Sequence, residues 1–337
     1  MKAVVLVGGE GTRLRPLTET IPKPLIPLVD RPFLEHVLDH LGAYGVEQAL
    51  LSSPYLEEAF APLVGARRAP PRPVWITEPE PLGTGGAVAN AARGLAETIL
   101  VLNGDILTDL DLSALVAHHR DAGGIATLTL APVEDARPYG LVTVDEHGRV
   151  LEFREKPADP VAGLVNVGTY VLEPEALLGI AMDRPVSIER EVFPSLISSG
   201  RPVTAFVSHA YWMDLGTPEK YLQATFDALE GRIGGLDYAA PYVDPTAQVS
   251  LRARLGRWVV AGPGSILEDD AEVEDSVVLD RAKIEPGAKV RGSIIGPRAR
   301  VERGAVLSGA VLAERAVARA GVVRDGARVG AGRVLTG

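Results

Sequence analysis

The chain has 337 residues, 46% of them apolar, no cysteine and a formal net charge of −10. That composition supports one large domain plus a smaller one, and it excludes disulfides, zinc–thiolate sites, iron–sulfur clusters and cysteine nucleophiles. Residues 1–241 hold 19 Lys and Arg against 32 Asp and Glu, and residues 242–337 hold 15 against 12, so no global attraction draws nucleic acid or an anionic membrane, and anionic ligands need local cations or a metal ion.

In chain order, Ala3–Val7 is an apolar run ending in glycines, as a buried parallel strand does. It is too short for a signal h-region or a membrane span, which points to the cytoplasm. The loop Gly8-Gly9-Glu10-Gly11-Thr12-Arg13-Leu14-Arg15-Pro16-Leu17-Thr18 follows. Its glycines let backbone N–H groups approach a phosphate, and Arg13 and Arg15 add fixed positive charge. Pro22 and Pro24 restrict the backbone around Lys23. A dinucleotide fingerprint fails because Leu14 stands where the third glycine belongs, and a P-loop fails for want of Gly-Lys-Ser/Thr.

Arg31–Tyr44 reads as a helix with Pro32 in its first turn. Gln48–Ser52, Val74–Thr77 and Thr98–Leu102 read as strands, and Ala87–Leu95 and Leu112–Asp121 as helices. This alternation predicts a mostly parallel sheet with helices on both faces. Asn103-Gly104-Asp105 follows the third strand, and a carboxylate at the C-terminal end of a parallel strand lies where α/β sheets bind ligands. Further strands near Ala126–Ala131, Leu141–Val144, Val150–Arg154 and Val167–Leu172 predict an added mixed region. Thr217 caps a last helix that runs to about Leu229, with Pro218 in its first turn.

Residues 1–230 thus form one domain, and 231–241 a glycine-rich linker. Beyond it helical periodicity stops. Ser276–Gly292 aligns with Ser293–Gly309, the next copy starts at Ala310, and weaker ones start at Tyr242 and Val259. Within a copy an aliphatic residue returns every five or six positions, as at Val278, Ile284, Val290, Ile295 and Val301. Three brief strands per turn of a solenoid fit that spacing, so 242–337 is predicted to be a parallel β-helix of about five coils that resembles the left-handed hexapeptide-repeat type.

The string Gly-Gly-x-Gly-Thr-Arg-Leu-x-Pro-Leu-Thr with Pro-Lys-Pro-Leu resembles the signature of sugar-1-phosphate nucleotidyltransferases. The resemblance implies an α/β fold, a Rossmann-like mostly parallel to mixed sheet followed by the left-handed β-helix. It implies a loop of Gly8, Gly9, Gly11 and Thr12 around a triphosphate, with Arg13 and Lys23 on its phosphates. Asp105 and Asp214, the latter in Trp212-Met-Asp-Leu-Gly-Thr-Pro-Glu219, look like the family's Mg²⁺ ligands. Tyr139-Gly140, Glu155-Lys156-Pro157 and Asn166-Val-Gly168 resemble its sugar-phosphate motifs, which implies sugar contacts from Gly140, Glu155 and Asn166 and a phosphate contact from Lys156.

Glu78-Pro-Glu-Pro-Leu-Gly83 resembles the base-reading loop. An ionised carboxylate only accepts hydrogen bonds, and guanine offers two adjacent donors, whereas uracil and thymine offer one. Glu78 therefore favours GTP. With Ser187-Ile-Glu-Arg-Glu-Val-Phe-Pro194, the loop looks most like mannose-1-phosphate guanylyltransferases. The expected reaction joins an NTP, GTP first, to a sugar-1-phosphate, mannose-1-phosphate first, and releases pyrophosphate. Alternatives are another NTP, another sugar or cyclitol phosphate, or a silent nucleotide-sugar-binding paralogue. None of the six histidines lies beyond residue 241, so a histidine-based acyl transfer in the β-helix is disfavoured, and an oligomerisation or regulatory platform, with a homo-oligomer, is expected there.

Overall fold

The structure, a computed structural model, describes residues 1–54, 57–78 and 80–337. Two compact units divide the chain: residues 1–9 with 36–212, and residues 10–35 with 213–337.

The first unit is built on a nine-stranded mixed sheet. Its strands are β1 (Lys2–Leu6), β2 (Gln48–Ser53), β3 (Arg72–Thr77), β4 (Ile99–Asn103), β5 (Ala126–Val133), β6 (Gly140–Val144), β7 (Val150–Glu155), β8 (Gly163–Leu172) and β9 (Val203–Val207). The order β7-β6-β8-β4-β1-β2-β3 runs across it, with β5 on β8 and β9 on β5. β1 lies parallel between β2 and β4, and β8 is antiparallel to β4 and β5. The parallel half is the predicted one. Val4 and Val101 of its strands share one buried cluster with Leu128 of β5, Tyr170 and Leu172 of β8, and Phe193.

The helices are α1 (Phe33–Ala43), α2 (Glu57–Ala66), α3 (Gly83–Ala91), α4 (Leu112–Ala122), α5 (Phe193–Ser198) and α6 (Pro218–Leu229). Asp111 caps α4 through the Ala114 N–H, and Gly123 ends it in the left-handed region. Two of the predicted helices start elsewhere than the sequence reading placed them. α1 starts at Phe33, because Arg31–Pro32 pairs antiparallel with Pro27–Leu28 and the backbone there is already extended. α3 starts four residues early, at Gly83, because Val186 supplies partners that no local pattern reveals: its O accepts the Gly85 N–H at 2.8 Å and its N–H donates to Leu82 O at 2.8 Å.

In the second unit, residues 242–335 wind into parallel strands stacked in three sheets of six, six and five. Pairing Val277 with Ile294, Lys283 with Arg300 and Lys289 with Val306 fixes a 17-residue coil, while the first coil is one residue longer, pairing Tyr242 with Val260. Val278, Ile284, Val290, Ile295 and Val301 are all fully buried in its interior, the five positions that the repeat singled out. Among the described residues no helix is long and apolar enough to cross a membrane.

Candidate active site

In the first unit most of the predicted site residues lie at or just beyond the ends of sheet strands, Asn166 being internal to β8. Gly8 and Gly9 follow β1. Asp105 follows β4, and the preceding Gly104 donates its N–H to Leu6 O at 2.9 Å, tying that loop to β1. The amide of Asn103 ends β4; its Oδ1 is buried without a hydrogen-bond partner among the described residues.

Asn166 lies where the register of β8 against β5 shifts between Asn166 and Tyr170. Such bulges re-aim side chains. Asn166 Nδ2 donates to the Tyr170 hydroxyl at 2.7 Å, and its Oδ1 accepts the Gly168 N–H at 3.1 Å, so the amide is fixed. Burial pushes the Tyr170 phenol well above its usual range, which keeps it a neutral partner. Gly140 opens β6, and a Cβ there would stand 2.6 Å from the Phe153 ring, so only glycine lets Phe153 and Glu155 approach. Lys156 pairs with Glu155 at 3.4 Å and holds φ of 50°. A non-glycine residue in that region stores strain, which recurs at ligand clamps. The Tyr139 and Trp212 rings meet edge to face at 5.1 Å beside this strand end.

Glu78 is not a solvated loop acid. It is buried, with Oε1 accepting from Ser52 Oγ at 3.0 Å and Oε2 from the Leu82 N–H at 3.1 Å. Pro79, in the same motif, lies outside the described residues. Gly83 opens α3. Ser187–Pro194 clamps that helix start: Thr84 Oγ1 donates to Glu189 Oε2 at 2.8 Å and accepts the Ile188 N–H at 2.9 Å.

In the second unit Gly11 is left-handed (φ 60°) and opens the turn Thr12–Leu14 that carries Arg13. Thr18 Oγ1 donates to Gly11 O at 2.9 Å and closes the loop. Lys23 and Arg13 both reach Asp214, at 3.5 Å each. Lys220, which sequence reasoning missed, is a third cation on the same carboxylate at 3.6 Å. Thr217 caps α6 as predicted, accepting the Lys220 N–H at 3.3 Å. Asp214 is only 16% exposed, while Arg13 is 64% exposed and available to a ligand.

Three cations around one half-buried carboxylate make a ready phosphate-binding set, with the carboxylate as their counter-ion. Among the described residues no three His, Cys, Asp or Glu side chains gather into a cage. Mg²⁺ does not require one: it is held by one or two carboxylates and completes its shell with waters and phosphate oxygens. Asp105 and the Asn103 amide oxygen in the first unit, and Asp214 in the second, are each hard donors of that kind, so their chemistry fits the ion.

Residues 2–231 match the family model described as nucleotidyl transferase, and residues 239–336 match one described as GMPPB C-terminal domain. A mannose-1-phosphate guanylyltransferase of Mycobacterium tuberculosis is 39% identical over 298 residues, 85% of this chain and 81% of that protein. Mannose-1-phosphate guanylyltransferase 1 of Arabidopsis thaliana is 34% identical over 85% of this chain and 82% of its own length. The crystal structure of HddC from Yersinia pseudotuberculosis complexed with GMP-PN superimposes with a TM-score of 0.58 at 31% identity, over 66% of this chain and 97% of that one. With the glycine turn, the cation cluster and the strand-end carboxylate in place, the chain belongs to the sugar-1-phosphate nucleotidyltransferase family.

Proposed function

We propose that this nucleotidyltransferase moves the guanylyl group of GTP onto mannose-1-phosphate and releases pyrophosphate. The observation that supports the base is the setting of Glu78. Each carboxylate oxygen already holds one protein donor, Ser52 Oγ or the Leu82 N–H, which fixes its plane. Each keeps a lone pair for the two adjacent N–H donors of guanine. The names of the M. tuberculosis and A. thaliana relatives and the GMP-PN in the HddC structure support the same base, and the relatives support the sugar.

On this reading an oxygen of the sugar phosphate attacks the α-phosphorus in line, the bond from that phosphorus to the bridging oxygen breaks, and pyrophosphate leaves. The attacking phosphate is already an anion at neutral pH, so no general base is needed. The barrier is electrostatic, and Arg13 and Lys23 meet the triphosphate while Lys156 meets the sugar phosphate. The triphosphate competes with Asp214 for its three cations, which frees the carboxylate. Mg²⁺ bound to Asp105 and Asp214 would neutralise charge on the phosphate oxygens. Glu155, Asn166 and the backbone at Gly140 orient the sugar hydroxyls, and Gly8, Gly9, Gly11, Thr12 and Gly83 shape the nucleotide loops.

The proposed compartment is the cytoplasm, in keeping with two water-soluble anionic substrates. The proposed assembly is a homo-oligomer through the β-helix, where Val323 and Val334 are exposed. The test of the base assignment is Glu78→Gln: kcat/KM should fall about ten-fold or more for GTP and stay level for UTP. An unchanged GTP preference would overturn it.

A further inference from the structure

The last coil of the β-helix ends two buried rows in arginine, Arg324 below Leu307 and Arg328 below Val311, and Arg328 is the one that bonds a residue outside the solenoid. Register places Val260, Val277, Ile294, Val311 and Arg328 in a single row. The first four are buried, although the adjacent row, Ala261 to Val329, is the one that fills the solenoid. The fifth is a guanidinium. Its Nη1 donates to Gly309 O at 2.6 Å, which fixes it to the coil above, and its Nη2 donates to Glu219 Oε1 at 3.1 Å. Three residues on, the Ala331 N–H donates to Glu19 Oε2 at 2.8 Å, and a Cβ on Gly330 would stand 3.1 Å from the same oxygen.

Both acids lie on the segments that carry the cation cluster. Glu19 ends the turn Leu17–Glu19, whose Thr18 closes onto Gly11, the residue that opens the Arg13 turn. Glu219 lies in the first turn of α6, next to Lys220 on Asp214. Its own backbone N–H first, against some desolvation, then Thr217 and Arg328 hold the Glu219 carboxyl below its usual range.

We propose that Glu19, Glu219 and Arg328 are positioning residues, through which the last coil of the β-helix sets the Arg13 turn and the start of α6 for the triphosphate. The inference rests on the nucleotidyl-transfer reading of Arg13 and Asp214. The two links are unequal. Arg328 and Glu219 form an exposed pair, which alone contributes little. Glu19 accepts a backbone N–H on a charged oxygen, the stronger kind of bond, and acts on the loop directly. Glu19 is therefore the dominant link.

The test uses the full chain with GTP, Mg²⁺ and mannose-1-phosphate, reading pyrophosphate release and amide exchange. Glu19→Ala should raise KM for GTP about three- to ten-fold while leaving KM for the sugar phosphate and the unfolding temperature in place. Glu19→Gln should recover most of the loss, because its amide oxygen still accepts the Ala331 N–H, and Arg328→Ala should lie between wild type and Glu19→Ala. By reciprocity, GTP should slow exchange of the Ala331 amide in the wild type but not in Glu19→Ala. An equal rise of both KM values, an unchanged KM for GTP, or an Ala331 amide indifferent to GTP overturns the proposal. A wild-type chain that releases no pyrophosphate from any triphosphate overturns the parent reading instead.

Discussion

Three cations meet on Asp214: Arg13, Lys23 and Lys220 share its two oxygens. A neutral amide there keeps the shape and loses the counter-ion and, on the proposed metal assignment, a hard ligand. Asp214→Asn, and separately Asp105→Asn, should lower kcat on the order of 10²-fold or more at fixed Mg²⁺. Near-normal turnover of both variants at low Mg²⁺ would refute the metal assignment. Ser52→Ala removes one of the two donors that orient Glu78. It should raise KM for GTP on the order of ten-fold, as expected for a single hydrogen bond to a charged group, and a matching change with UTP would count against that role.

Arg13, Lys23 and Asp214 were legible because each stands in an ordered motif. Lys220 was not: it lies six positions after Asp214 across a cap, so neither a strand nor a helix period links the two. Glu78 was legible as an acid in the right loop but not as a buried one, since Ser52, its partner, is 26 residues away.

At the level of elements, the β-helix was the most legible part, because a 17-residue repeat is visible without any tertiary information and its inward positions recur with it. Ile295 is fully buried in that stack. Ile295→Ala should cost about 2–4 kcal/mol in chemical denaturation, the range for a large-to-small change in a rigid core. A loss under ~0.5 kcal/mol would mean that the coils are loosely packed.

Helix limits were less legible where distant backbone supplies the partners, as Val186 does for α3. α2 was missed outright: its apolar spacing is weak and Pro62 interrupts it. Near the C-terminal end of α1, burial lowers the His40 pKa from 6.5, only partly offset by the Leu110 backbone and by Asp109 and Asp111. The unfolded chain then binds a proton that the folded chain refuses. This contribution to stability is therefore fully present above the unfolded value and is lost as pH falls through it. His40→Gln should flatten the fall in unfolding temperature between about pH 7 and pH 5. An unchanged slope would place the acid sensitivity elsewhere.

Over the whole molecule, charge and function pull in opposite directions. An acidic protein, net −10, is proposed to gather two polyanions. On that proposal Arg13, Lys23 and Lys220, gathered on one carboxylate, supply the local positive charge, and a divalent ion would complete the neutralisation. Catalysis should therefore depend steeply on Mg²⁺ and only weakly on the protein's net charge. Sedimentation equilibrium should report a mass above that of one chain; a monomer at working concentration would contradict assembly through the β-helix.

The most direct test is pyrophosphate release by the purified full-length chain, with each of five nucleoside triphosphates set against a panel of sugar-1-phosphates in Mg²⁺. Release should require both substrates, be fastest with GTP and mannose-1-phosphate, and yield a sugar nucleotide in equal amount. Release without sugar phosphate, or none with any pair, would contradict nucleotidyl transfer as the function of this chain.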